Sequence, residues 1–199
     1  MFKKPVYLAL FVLIDLGFLL TAYERQAQGV ISLPWTGQSL CYDPSGNGIS
    51  CMGTGLDGDL QVGVDWPNPR FTPSGDCVTD NLTSLMWVKN GNLPNGPRDW
   101  QGALGYVASI NSGSGLCGYK DWRLPNVNEL ESLVNSGEAN MATWLNTQGF
   151  SNVHSDYYWS STTYAFYTDI AWIVHMWDGA VHKLYKSYGN YVWPVRSGQ

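Results

Sequence analysis

Positive charge is scarce in this chain. Its 199 residues carry 11 Lys and Arg against 16 Asp and Glu, a formal net charge of −5 with His neutral. Phosphate binding needs a basic patch and none is visible, which argues against a nucleic-acid partner and against a purely electrostatic grip on sulfated glycans. The signatures of catalysis are missing too. There is no Gly-x-Ser-x-Gly elbow, no Gly-rich phosphate loop and no metal triad, so neither a catalytic residue nor a cofactor is expected. The four cysteines, Cys41, Cys51, Cys77 and Cys117, include no Cys-x-x-Cys pair, which disfavours a zinc site. Beyond Val6 to Leu20, no stretch is apolar enough to span a bilayer.

What is abundant is apolar and aromatic. Hydrophobic residues make up 44% of the chain and aromatics 14%, with ten Trp, so disorder is excluded and one ordinary domain plus an appendage is the expected organisation. Residues 1–27 read as a secretory signal: Lys3 and Lys4 supply a positive start, Val6 to Leu20 an apolar run, and Ala22 or Ala27 a small-residue cleavage position. Asp15 interrupts that run and keeps an uncleaved anchor as the alternative. Either way the domain is expected to be exported, to the periplasm, the outer surface or the medium. An even cysteine count in an exported chain favours two disulfides. Cys41 and Cys51 bracket a turn-rich loop and make the economical pair. That leaves Cys77 with Cys117, closing a loop of about 40 residues, worth about 4 kcal/mol in the chain-entropy model.

Residues 28–70, rich in Gly, Asp, Pro and Ser, read as a small irregular lobe with one stapled hairpin. Asp43-Pro-Ser-Gly-Asn-Gly begins like a calcium loop, but Thr54 stands where the bidentate Glu belongs, so a plain turn is expected. Residues 71–199 form the main domain. Phe71 to Val88 suggests two short strands around Asp76 and Asn81. Asp99 caps a helix whose face carries Trp100, Ala103, Leu104, Val107 and Ile110. Asn126 and Glu129 make a capping box for a second helix that Gly137 should stop. Arg123 and Glu129 are expected to make buried structural contacts at its start, and Trp144-Leu145 with Phe150 a short connector. Helices preceding a run of strands indicate an α+β domain, here two helices and a twisted antiparallel sheet.

The chain is organised around Tyr157 to Arg196. Asp178-Gly179 between alternating residues signals a two-residue hairpin turn. The register that follows sets Trp177 against Ala180, Met176 against Val181, His175 against His182 and Ile173 against Leu184. Alternation then places Trp172, Val174, Met176 and Val181 on a core side, with Lys183 and Tyr185 towards the open end. The other face holds Ile173, His175, Trp177, Ala180, His182 and Leu184. That second face is either covered by more chain or a binding surface. His175 opposite His182 is expected to be a simple surface pair rather than a metal site. Trp87, Trp122, Trp159, Trp172 and Trp193 are expected in the core and Trp177 in contact with ligand.

Several motifs in order carry a resemblance: Leu82-Thr83-x-Leu85-Met86-Trp87, then Asp121-Trp122-Arg123-Leu124-Pro125-Asn126-x-Asn128-Glu129-Leu130, Tyr158-Trp159-Ser160-Ser161-Thr162, Ala171-Trp172, Gly179, and Tyr191-Val192-Trp193-Pro194-Val195-Arg196. Together they resemble the Lcl C-terminal domain family, named for a collagen-like bacterial adhesin. The resemblance implies a compact C-type-lectin-like fold, related to the formylglycine-generating enzymes. Those enzymes use paired cysteines near the C-terminus, whereas this chain has none after Lys120. The named adhesin trimerises and binds glycosaminoglycans; this chain has no Gly-X-Y repeat and is acidic. Similar domains serve as displayed proteins of diversity-generating retroelements. On that pattern the variable, ligand-binding positions here are Phe166, Tyr167, Asp169, Ile173, His175, Trp177, Asp178, His182, Leu184, Tyr185, Tyr188 and Asn190. The expected partner is a protein or glycan on another surface, with a homo-oligomer open. A structural or assembly module is the alternative, an enzyme of unknown substrate the third.

Overall fold

A computed structural model describes residues 33–198. The expected signal segment, residues 1–27, lies outside the described residues. Residues from Pro34 onward form one compact unit.

The first sheet is built on a tight turn. β3 (Phe71–Ser74) and β4 (Cys77–Asp80) pair with Ser74 opposite Cys77, which leaves only Gly75 and Asp76 between them. Gly75 takes φ +58 there, the backbone such a turn demands at its first central position. Asp80 then turns the chain again: its carboxylate accepts from the Leu82 N–H and the Thr83 hydroxyl, and β5 (Leu85–Val88) comes back along β4. The region therefore holds three strands where two were expected. β9 (Val195–Ser197) returns from the end of the chain to pair with β5, Trp87 opposite Val195, giving the order β3-β4-β5-β9.

Asp99 caps a thirteen-residue helix, Trp100–Ser112, accepting from the Gly102 N–H, and Ala103 and Val107 are buried along its face. The capping box at Asn126 and Glu129 is present in both halves, but the helix it starts, Val127–Glu131, ends well before Gly137. The reason is tertiary. The Ser132 carbonyl, which another helical turn would need for the Ser136 N–H, accepts from the buried Arg70 guanidinium, and Ser136 N–H donates to Thr36 instead. Arg123 does clasp Glu129, at 2.6 and 2.5 Å, but the guanidinium is 43% exposed, so the contact is a surface clamp and not a buried one. The expected connector is itself a helix, Met141–Thr147, capped by Asn140 and burying Met141, Ala142 and Leu145. With the single turn Asp57–Leu60, the described residues hold four helices rather than two. In chain order they are α1 (Asp57–Leu60), α2 (Trp100–Ser112), α3 (Val127–Glu131) and α4 (Met141–Thr147).

Both expected disulfides are closed, Cys41–Cys51 and Cys77–Cys117. The first staples a minimal hairpin of β1 (Cys41–Tyr42) and β2 (Gly48–Ile49). In the loop between them the Asp43 carboxylate accepts from the Ser45 and Asn47 N–H groups, the plain turn expected. A third sheet, β6 (Tyr157–Thr163), β7 (Ile170–His175) and β8 (Val181–Tyr185), is antiparallel throughout. Strands are thus divided among three antiparallel sheets, not one. The core joins the four-stranded and the three-stranded sheet: Trp87, Trp122, Trp159 and Trp193 are all buried, with Trp193 edge-on to Trp87 and to Phe150. Trp172, expected with them, is only half-buried.

Candidate ligand-binding surface

The hairpin turn is wider than the Asp-Gly signal implies. Val174 pairs with Val181 and Ile173 with His182, and His175 N–H donates to the Ala180 carbonyl, so Met176 to Gly179 form a four-residue loop. A two-residue type I′ turn needs positive φ at both central residues, and here only Gly179 has it, at +77. The loop is held from outside. The Met176 and Trp177 carbonyls accept from the Ala142 and Met141 N–H groups, the first donors of α4, which have no partner within their own helix. Met176 is fully buried. The Asp178 carboxylate stays local, accepting from the Ala180 N–H at 3.0 Å and lying 3.0 Å from His175 Nδ1. Those contacts, the backbone N–H first, hold its pKa below the ordinary 3.8.

The register has moved by two residues, so each side chain keeps its face but changes its neighbour. His182 stands opposite Ile173, and His175 opposite Tyr157 of β6. The expected pairing of His175 with His182 is replaced by a sandwich around Tyr157, whose ring stacks on His175 at 4.3 Å and meets His182 edge-on at 6.0 Å. Nor is the second face free. Ile173 and Ala171 on it are fully buried, as is Val174 on the opposite side, so β7 is a central strand covered on both faces along its middle. Ile173 is a core residue and no ligand contact. Leu184 is half-buried against the same core, and Asn190, 5% exposed, is tied by backbone bonds to Arg98.

What remains exposed gathers at the two ends of the hairpin, separated by the six residues of β7, roughly 20 Å. The turn end carries Trp177 with Asp178, His175, His182 and Tyr157. The open end carries Phe166, 74% exposed, and Tyr167, Tyr185 and Tyr188, each about half exposed. These rings rest mainly on one another: Phe166 on Tyr167 at 4.6 Å, Tyr185 on Tyr188 at 5.9 Å, and Tyr164 edge-on to Trp172 at 5.4 Å. Lys183 lies 4.3 Å over the Tyr164 ring, and Lys186 bonds Thr163 and the Thr168 carbonyl beneath the loop. Asp169 is exposed beside them, its carbonyl accepting from the Lys186 N–H. Tyr164, Trp172, Lys183 and Tyr157 were not expected at the surface. The aromatic run around Tyr164 was the available signal for the first of them.

Chemically, the open end offers ring faces and the exposed Lys183 ammonium, suited to stacking and to burying apolar contact. Among the described residues no three His, Cys, Asp or Glu side chains gather as metal ligands. No helix among the described residues is long and apolar enough to cross a membrane, and the paired cysteines fit an exported protein. No curated protein sequence matches the chain. The family model of the Lcl C-terminal domain matches residues 76–196, the span that holds the capping box, the Asp121–Arg196 ion pair and the whole aromatic hairpin. The chain therefore belongs to the Lcl C-terminal domain family.

Proposed function

We propose that the domain is an exported recognition module that presents the open end of its C-terminal hairpin to a protein or glycan ligand, as an adhesin or a diversified receptor, on the C-type-lectin-like frame its family resemblance implies. The observation that carries this reading is the exposure of two ring pairs, Phe166 with Tyr167 and Tyr185 with Tyr188, at one end of a strand pair whose centre is fixed by Ile173 and Val174. Exposed aromatics on a rigid support give large contact area with little ordering cost, and a few such residues dominate most interfaces. They stack on sugar rings as readily as on peptide. The role is binding and not catalysis. The purified protein, screened on glycan and surface-protein arrays beside a variant with Phe166, Tyr167 and Tyr185 changed to Ser, tests it. A ligand held by the parent and lost by the variant is expected; a variant that binds as the parent does removes the surface from consideration.

An assembly role is the second reading, and a different observation favours it. The 34–70 segment exposes Leu40, Met52, Leu60 and Val62, more apolar side chain than a short loop region needs to display. Sedimentation of a variant with Met52 and Val62 changed to Ser separates the two: dissociation of an oligomer supports assembly through this segment, and unchanged mass counts against it.

A further inference from the structure

Two buried N–H donors of residues that line one crevice have no partner among the described residues. Arg70 is 5% exposed. Its Nε and Nη2 lie 3.4 Å from the Asp80 carboxylate, and Nη2 also donates to the Ser132 carbonyl. Among the described residues Nη1 has no hydrogen-bond partner, and neither has the Trp35 indole Nε1, though neither atom is open to water. Buried donors in native folds are nearly always satisfied, and an orphan points to a bound water, ion or ligand. Both residues line the same crevice, about 350 Å³, between the 34–70 segment and α4.

The rest of the lining narrows the guest. Trp66 and Trp144 pack on each other, ring centroids 5.8 Å apart, and together make one apolar side of the crevice, with the Arg70 guanidinium 4.1 Å over Trp66. Gly37 lets the segment lie this close, since a Cβ there would stand 2.1 Å from Asn135 Oδ1 and 2.9 Å from Trp66. No Asp or Glu lines the crevice. Guanidinium and indole groups donate only. Asp80 is already spent on Arg70, Leu82 N–H and the Thr83 hydroxyl, and Glu131 lines the adjoining crevice, which Trp35, Trp66 and Arg70 also line. A hydroxyl guest would have to place its proton on an amide oxygen of the lining, from Asn68, Asn135 or Gln148, whereas a carboxylate brings two oxygens that only accept and so matches two unpartnered donors. We propose that this crevice binds a small carboxylate with a flat apolar body, its oxygens accepting from Arg70 Nη1 and Trp35 Nε1 and its body lying against Trp66 and Trp144. The crevice is open to solvent, but both nitrogens are covered, so the guest reaches them only as the half-buried Trp35 ring shifts. The crevice shares no residue with the hairpin surface, so either reading stands if the other fails.

Benzoate is a suitable probe and benzamide its neutral match. Titrated into the ¹⁵N-labelled protein, benzoate is expected to move the Trp35 Nε1–H resonance saturably and to bind about tenfold tighter than benzamide, the usual scale for a charge-assisted hydrogen bond. Arg70→Gln leaves Asp80 buried without its partner and is a poor variant for folding. Trp35→Phe keeps the wall and the ion pair and removes one donor, and it is expected to weaken benzoate severalfold while leaving benzamide unchanged. Equal response to the two probes, undiminished benzoate binding by Trp35→Phe, or a benzoate-soaked crystal with water alone on both nitrogens would overturn the proposal.

Discussion

The two ends of the C-terminal hairpin are alike in composition and differ in what their side chains are committed to. At the turn end the rings and polar groups have internal duties. His175 sits between Asp178 and Tyr157, Met176 is buried, and the loop carbonyls complete the start of α4. At the open end the exposed rings lean on one another in two pairs, Phe166 with Tyr167 and Tyr185 with Tyr188. Aromatic density alone does not mark a binding surface; what distinguishes one is rings left without structural work.

The buried middle of β7 separates the two ends, and breaking it should have the largest effect. Ile173→Ala empties a fully buried site and is expected to cost about 2–5 kcal/mol, lowering Tm by roughly 10 °C for a unit of this size. Phe166→Ser, by contrast, should stay within about 0.5 kcal/mol of the parent. Equal melting by thermal denaturation would show that Ile173 is no core residue. Next in size is the difference in recognition. Phe166→Ser with Tyr167→Ser is expected to weaken the array-identified ligand by at least about thirtyfold, on the scale of an interface hot spot, while Trp177→Ala weakens it by less than about threefold. The reverse order would move the site to the turn end.

A smaller effect tests how the open end is arranged. Lys183 over Tyr164 is worth about 0.5–1 kcal/mol as an exposed cation–π contact. Lys183→Met should therefore cost about that much stability in urea titration, with the loss absent in a Tyr164→Leu background. An equal loss in both backgrounds would assign Lys183 some other role.

Local chemistry made much of the frame readable. Asn126 and Glu129 announced a capped helix because both halves of the box lie within four residues, and the cysteine pairing followed from loop economy. The misreadings arose where distant chain intervened. Gly75-Asp76 and Asp178-Gly179 carry turn signals of the same kind, yet only the first closes in two residues. On Gly75-Asp76 the Asp76 carbonyl accepts only from the Lys89 N–H, just past the neighbouring β5, and the turn stays tight, whereas the start of α4 grips the carbonyls of both Met176 and Trp177 in the wider second turn. The helix α3 stopped early because Arg70, sixty-two residues away, took its Ser132 carbonyl. Ile173 looked free because alternation sorts faces but says nothing of what covers them. Its place in the candidate site came from a pattern of variable positions, and burial removes it.

The least effect expected is at Asp178, and its sign is fixed by the contacts that hold the turn. The Ala180 N–H first, and His175 after it, keep the folded carboxyl below 3.8. A carboxylate of this kind stabilises the fold fully above its unfolded pKa, and the contribution is lost as pH falls through the lower folded value. The side chain is 48% exposed, and solvent screening limits the effect to no more than about half a kcal/mol. The stability difference between the parent and Asp178→Asn, measured by urea unfolding, should hold from pH 6 to about pH 4 and shrink towards zero near pH 2. The open end has no such carboxylate bonded into its loop, so the same pH series on Phe166→Ser should run parallel to the parent. If Asp178→Asn also runs parallel, the carboxylate does not hold the turn, and the four-residue loop rests on α4 alone.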